Sequence, residues 1–319
     1  MRGFWKILVV GLLVLLLSTV AFAKFPEKQI TLIIQAAAGG ASDGVSRTIA
    51  AEAQKYLGVP IVCINKVGAS GAIAMDYVAK SKPDGYTIGY VPVELSMLKA
   101  LGYANIDPRN YDLIMRANIL PAAVTVRKDA PWKDINEFVE YAKAHPYEIT
   151  IGTSGAGSIW HIAGAALGEK TGAKFTYVPF PGAAPSVASL MGGHIAAVTC
   201  SPGEVLSGVQ GGKLRVLAVM GEHRSPLYPD VPTLKEKGID VVVMAWGGFA
   251  LPKGVPKDRY EIIAKAFKKA YDSDAFKKYC ESHGIEPGYL PGDEFMKFAI
   301  SQMELYTDLI NKLGLNKKK

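Results

Sequence analysis

Five residues near the start of the chain carry the pattern of a catalytic turn. Gly40-Ala41-Ser42-Asp43-Gly44 fits G-x-S-x-G, the strand-to-helix elbow that lifts a nucleophilic serine in α/β-hydrolases. It follows the apolar, β-branched run Ile30 to Ile34 and precedes a helical pattern, which is the setting the elbow needs. The same small residues suit a second chemistry, because backbone N–H groups at a helix N-terminus hold anions. Position decides between the two. A hydrolase elbow follows several strands, since an earlier loop supplies half of the oxyanion hole, and here a single strand pattern precedes Ser42. The histidines, His145 to His283, offer a base, but no spacing singles one out. The expectation is that Ser42 donates a hydrogen bond to a bound anion and that the chain is not an enzyme. Asp43, at the helix start, is either a cap for free N–H groups or a contact to a cationic or hydroxyl group of a ligand.

The same kind of turn recurs at Val67-Gly68-Ala69-Ser70-Gly71-Ala72 and at Thr153-Ser154-Gly155-Ala156-Gly157-Ser158. Each follows a strand pattern and opens a helical one. In an open parallel sheet such turns lie at the carboxyl ends of strands, where ligands bind. Free first-turn N–H groups and the helix dipole favour a carboxylate there, the dipole by about 0.3–1 kcal/mol. None carries the lysine of a P-loop and none is G-x-G-x-x-G, so a nucleotide is disfavoured. The first and third turns, at the same topological position in the two halves, are expected to face each other across a cleft. The middle one is expected to serve packing.

The elements that would position these turns alternate. Thr31 to Gln35, Pro60 to Asn65 and Tyr86 to Val91 read as strands, the second of them buried. Between them lie a helix with Val45, Ile49, Ala53 and Tyr56 on one face, and another over Ala72 to Lys80. Past Asp112 the register changes, with Ala122 to Val126 extended and Ile135 to Ala144 helical. A second series follows: strands at Ile149 to Gly152, Phe175 to Pro179, Ile195 to Cys200 and Leu214 to Met220, with helices between. Val241 to Met244 and Trp246 to Leu251 are extended again. This order predicts parallel sheets built from βαβ units. Two amphipathic helices end the chain, on stripes from Tyr260 to Tyr271 and from Phe295 to Leu313, with Asp293 placed as an N-cap.

Composition narrows the class. Residues 1–23 read as a signal peptide: Arg2 and Lys6 precede the apolar run Ile7 to Leu17, and Ala21-Phe22-Ala23 gives the small-x-small cleavage pattern. That run is shorter than the roughly 20 residues of a bilayer span. The protein is therefore expected to be periplasmic, cut after Ala23. The net charge of +7 is spread along helical faces, with no clustered basic surface for nucleic acid. Cys63, Cys200 and Cys280 cannot make a disulfide framework, and no histidine or cysteine spacing suggests a metal. No cofactor is expected.

In sequence order, several strings resemble the solute receptors of tripartite tricarboxylate transporters, the TctC or Bordetella uptake gene (Bug) family. They are GGASDGVSR from Gly39, Gly68-Ala69-Ser70-Gly71 with Pro83-Asp84-Gly85-Tyr86-Thr87, GTSGAGSIWH from Gly152, and Val178-Pro179-Phe180 with Gly182 and Pro185. Leu190-Met191-Gly192-Gly193-His194, Leu217-Ala218-Val219 with Arg224, and Pro229-Asp230-Val231-Pro232-Thr233 complete the series. The resemblance implies a type II periplasmic binding protein. In that α/β fold two domains, residues 24–122 with 247–319 and residues 123–246, are joined by two crossover strands, and the ligand cleft lies between them. The crossovers fall near Ala122–Val126 and Trp246–Leu251. It implies a monomer that captures a small organic carboxylate and delivers it to a membrane permease, or reports it to a membrane sensor. Carried over by position, one carboxylate site falls on Gly39, Gly40, Ala41, Ser42 and Asp43. The facing site falls on Ser154, Gly155, Gly157 and Ser158, supported by Phe180, Gly182 and Ala183. Relatives often carry an aromatic residue and prolines before the first Gly-Gly, where this chain has Gln35-Ala36-Ala37-Ala38, and Pro181 stands where polar residues are common. Glu94 is a candidate partner for an amino group or a bridging water.

Overall fold

The computed structural model describes residues 25–316, so the expected signal peptide and its cleavage site lie outside the described residues. Two mixed α/β sheets face each other. In the first, β1 (Ile30–Ile34) lies between β2 (Ile61–Asn65) and β3 (Thr87–Pro92), all parallel. Helices α1 (Ala41–Leu57) and α2 (Ala72–Ala79) make the connections. Val45, Ile49, Ala53 and Leu57 recur at helical spacing and all are buried, and Gly58 in the left-handed conformation ends α1. Tyr56, expected on that stripe, is 49% exposed instead.

The long strand β10 (Met244–Pro252) joins this core antiparallel, β4 (Tyr111–Pro121) pairs antiparallel with β10, and β11 (Glu286–Pro291) closes the edge, in the order β11-β4-β10-β3-β1-β2. The second sheet contains β5 (Ala123–Arg127), β6 (Thr150–Thr153), β7 (Thr176–Pro179), β8 (Ala197–Cys200) and β9 (Leu214–Val219), in the order β7-β6-β8-β5-β9. Its helices are α3 (Ile135–Ala144), α4 (Ile159–Thr171), α5 (Ala183–Met191) and α6 (Leu206–Gln210). Helices α7 (Lys257–Tyr271), α8 (Asp274–His283) and α9 (Gly292–Lys312) follow β10 in the chain. Purely parallel sheets are the expectation that fails. Strands that pass between the sheets enter each one against the direction of its βαβ units, so both sheets are mixed.

One unit occurs in each half: a central strand flanked by the next two parallel strands, β2-β1-β3 and β7-β6-β8. The carboxyl end of the central strand is then a switch point, where connections leave to opposite sides and open a crevice. The chain passes from one sheet to the other at Ala122 and returns between Met220 and Val243. The two passages are bonded together. Ala122 N–H donates to Val243 O at 2.9 Å, and Ala122 O accepts from Met220 N–H at 2.6 Å. Trp246–Leu251 lies wholly within β10.

Other differences have local causes. β2 is an edge strand with Val62 and Ile64 exposed, and a short apolar run does not distinguish an edge from a centre. Asp293 lies in the first turn of α9, not at its cap, because Pro291 is extended and the helix begins at Gly292. The terminal stripes hold: Ile263, Phe267 and Ala270 are buried, as are Phe295, Ala299, Tyr306 and Ile310. No helix among the described residues is long and apolar enough to cross a membrane.

Candidate functional site between two switch points

A cleft of about 510 Å³ lies where the carboxyl ends of β1 and β6 face each other. On the first sheet, Gly39 turns the chain into α1 with φ 85°, a left-handed conformation that a side chain would resist. Gly40 then occupies the N-cap without a side chain to cap the helix, so the first-turn N–H groups of α1 must find partners elsewhere. Ser42 Oγ accepts from Gln35 Nε2 at 2.9 Å and is also hydrogen-bonded to the Tyr90 hydroxyl. None of the described histidines hydrogen-bonds Ser42. The base that a serine nucleophile needs is missing from its side.

Asp43 turns away from the cleft. Its carboxylate accepts from Gly39 N–H at 3.1 Å, from Arg47 Nε at 2.9 Å and from Asn65 Nδ2 at 2.9 Å. Asn65 also donates to Ala36 O, so Asp43 pins the β1–α1 turn to the end of β2. Gly40, Ala41 and Ser42 line the cleft, whereas Gly39 and Asp43 do not.

The middle turn also lines the cleft, although packing was its expected role. Gly68, Ala69, Ser70 and Gly71 all have positive φ, and for Ala69 and Ser70 this costs about 1–2 kcal/mol each. Ser70 Oγ donates across the cleft to Ala156 O at 2.6 Å.

The second sheet divides its expected residues. Ser154 and Gly155 line the cleft, while Gly157 and Ser158 do not. Ser158 is the N-cap of α4, its Oγ accepting from His161 N–H at 3.2 Å, and Gly157 N–H donates to His161 Nδ1 at 2.9 Å. The start of α4 is thus saturated from within the protein. The N-terminus of α5 is different. Gly182, its N-cap, has no side-chain cap, and Phe180, Gly182 and Ala183 all face the cleft. A methyl group on Gly182 would lie 3.2 Å from the Ala37 backbone N, and one on Gly39 would lie 3.9 Å from Ala184 Cβ. The starts of α1 and α5, neither capped by its own N-cap residue, therefore converge.

Two acids complete the cleft, and they are related by the repeated unit. Each sits in a 3₁₀ turn directly after the third parallel strand, Glu94 in Val93–Ser96 after β3 and Glu204 in Pro202–Val205 after β8. Each caps the helix of the other half. Glu94 Oε1 accepts from Ile159 N–H at 2.9 Å, the first amide of α4. Glu204 Oε1 accepts from Ala41 N–H at 3.3 Å, the first amide of α1, while its Oε2 is held by Ser201 N–H and Oγ–H. Burial pushes the Glu94 carboxyl up to about 6, with the charge of Glu204 adding to the rise. Burial raises Glu204 as well. Glu94 was the acid singled out by position in sequence. Glu204 was missed, although Pro92-Val93-Glu94 and Pro202-Gly203-Glu204 share the pattern Pro-x-Glu.

The walls are Trp160, Phe180, Leu120 and Trp246, and no Lys, Arg or His lines the cleft among the described residues. Trp246 Nε1 is buried without a hydrogen-bond partner, as is Gln35 Oε1. The polar groups of the site therefore include backbone amides at the starts of α1 and α5 and the hydroxyls of Ser42, Ser70 and Ser154. Gln35 and the two glutamates are acceptors.

Comparison with known proteins agrees with this geometry. Residues 45–315 match the model of the tripartite tricarboxylate transporter family receptor, TctC. A UPF0065 protein from the gbd 5′ region of Cupriavidus necator is 34% identical over 295 residues, spanning 92% of this chain and 90% of that protein. The crystal structure of a TctC solute-binding protein from Polaromonas, without ligand, is 38% identical. It covers 90% of this chain and 99% of its own, with a TM-score of 0.67. MatC from Rhodopseudomonas palustris with bound malate is 26% identical and covers 90% of this chain and 100% of its own, with a TM-score of 0.84. The fold is that of the periplasmic binding proteins, and the chain belongs to the tripartite tricarboxylate transporter receptor family as a solute-binding receptor, not an enzyme.

Proposed function

We propose that this receptor is exported to the periplasm by cleavage after Ala23, captures a small organic carboxylate in the cleft, and delivers it as a monomer to a membrane permease. The observation that carries the reading is the convergence of two helix N-termini that begin at glycine N-caps, α1 from one sheet and α5 from the other, with only the first amide of α1 taken up by Glu204. Their amides and dipoles point at one volume, where Ser42 adds a hydroxyl. The carboxylate contacts are assigned to Gly40 and Ser42 on one side and to Gly182 and Ala183 on the other, Ala41 N–H being held by Glu204. Asp43 and Ser158 hold those turns in shape. The malate bound by MatC supports a carboxylate ligand.

The two bodies, bounded near residues 122 and 244, close on the ligand by rotation. A ligand held by donors from both bodies stabilises the closed arrangement differentially, and only such a difference shifts the equilibrium. The TM-scores support this motion. The more identical Polaromonas structure overlaps less well than MatC with malate, as expected when similar domains sit at different angles. The test is a thermal-shift screen against carboxylates followed by solution scattering on the tightest one. At 100 times its dissociation constant a ligand adds about 2.7 kcal/mol of stability. The expected result is a raised melting temperature with a smaller radius of gyration. A tight-binding carboxylate that leaves the scattering curve unchanged would overturn the two-sided site.

A further inference from the structure

We propose that Glu94, with Glu204 as its counterpart, makes the cleft select organic acids that also carry a hydrogen-bond donor, an ammonium or hydroxyl group beside the carboxylate. This rests on the carboxylate-capture reading and narrows its ligand class. The first observation is the balance of charge. A site for anions would ordinarily include a cationic side chain, yet the only ionisable carboxyl or cationic groups lining this cleft among the described residues are two glutamates. Each is fixed in place. Glu94 is 7% exposed and bonded to Ile159 N–H, and Glu204 is bonded to Ala41 N–H and Ser201. Neither can swing away to admit a second negative charge without giving up the helix amide it caps.

The second observation is independent of the acids. Gln35 is nine-tenths buried and lines the cleft, and with Nε2 committed to Ser42 its Oε1 has no partner. A buried amide oxygen left unpaired is costly, and a ligand donor removes that cost. A carboxylate has about four lone-pair sites, and Ile159 N–H occupies one of those on Glu94. The acceptors thus outnumber what a plain carboxylate can satisfy, because a carboxylate brings none of the missing protons. An amino or hydroxy acid brings them, with its carboxylate at the starts of α1 and α5 and its donor toward Glu94 or Gln35. The two halves of the molecule supply the acids by the same device, the Pro-x-Glu turn after the third parallel strand.

The experiment is isothermal titration of the mature protein with acids matched in carbon skeleton. Succinate, malate and aspartate differ only in hydrogen, hydroxyl or ammonium at one carbon, and glutarate, 2-hydroxyglutarate and glutamate form a second set. In at least one set the wild-type protein should bind a donor-bearing acid about tenfold or more tighter than the plain acid, the gain expected of one hydrogen bond to a charged group. Glu94→Gln should shrink that ratio below about threefold by weakening the donor-bearing acid, leaving the plain acid unchanged or tighter. The wild-type arm stands without the variant. If plain acids bind as tightly as their substituted partners, or if Glu94→Gln leaves the ratio unchanged, the inference is wrong and carboxylate capture survives. If the corresponding amides bind and no acid does, both fall.

Discussion

Replacing Glu94 with Gln is expected to make the ligand-free protein more stable near neutral pH. Glu94 is 7% exposed, so solvent screens little of its burial cost. Desolvation moves its titration from 4.5 to about 6, against the opposing hydrogen bond from Ile159 N–H. A carboxyl whose folded-state pKa is raised binds its proton more tightly in the folded protein. That contribution is present in full below about pH 4.5 and is lost as pH rises through about 6. The displacement is worth about 2 kcal/mol. Glutamine resembles the protonated acid, with an oxygen that still accepts from Ile159 N–H and no charge to desolvate. The variant should therefore keep at neutral pH what the wild type has only in acid. Urea unfolding at a series of pH values from about 4.5 to 7.5 measures this through the midpoint at constant slope. The two proteins should coincide at the acid end and diverge by up to about 2 kcal/mol at the other. Burial raises Glu204 as well, and because its charge contributes to the rise of Glu94, a Glu204→Gln control separates the two. Parallel curves across the whole range would refute the assignment of this burial cost to Glu94.

Ser42→Ala should weaken carboxylate binding by about 0.5–2 kcal/mol, and lower the stability of the free protein by about 1 kcal/mol because Gln35 Nε2 loses its acceptor. Titration giving wild-type affinity would remove Ser42 from the contacts. Ser158→Ala should lose about 1 kcal/mol of folding stability with the cap of α4 while affinity changes little. A large loss of affinity at unchanged stability would place Ser158 in the ligand site after all.

Much of the architecture was readable because it rests on local chemistry. Buried stripes at helical spacing defined α1, α7 and α9, and glycine-rich turns after strands marked the ends of β1 and β6. The parts that were not readable depend on partners distant in sequence. β11, with Pro287 and Gly288 inside it, is a strand only because the edge of β4 accepts it with a register shift. Helix α8 buries only Phe276 and Cys280. At the site, Gly40, Ala41, Ser42, Ser154, Gly155, Phe180, Gly182 and Ala183 face the cleft, and Gly39, Asp43, Gly157 and Ser158 lie behind it. Sequence places a residue in a turn, but which way its side chain points is decided by neighbours such as Asn65 and Arg47 for Asp43. Gln35 and Trp246 carried no motif, and Ser70 lay in a turn expected to serve packing. The cost of leaving their polar atoms unpaired appears only once the second sheet encloses them.

The bonding at Ala122 bears on the mechanics of the molecule. Two separate tethers would let the halves shear, splay and twist independently. Here the outgoing and returning passages are laced through one residue, with Ala122 donating to Val243 and accepting from Met220. The pair acts as a two-ply ribbon, stiff in its own plane and compliant about the axis across it. Of the rigid-body freedoms available to two linked domains, the proposed closure would use one rotation, absorbed by a few backbone angles beside Ala122. In the closure proposed above, such a ribbon would confine opening to a single coordinate, so that the faces that separate would be the same faces that meet again, in register.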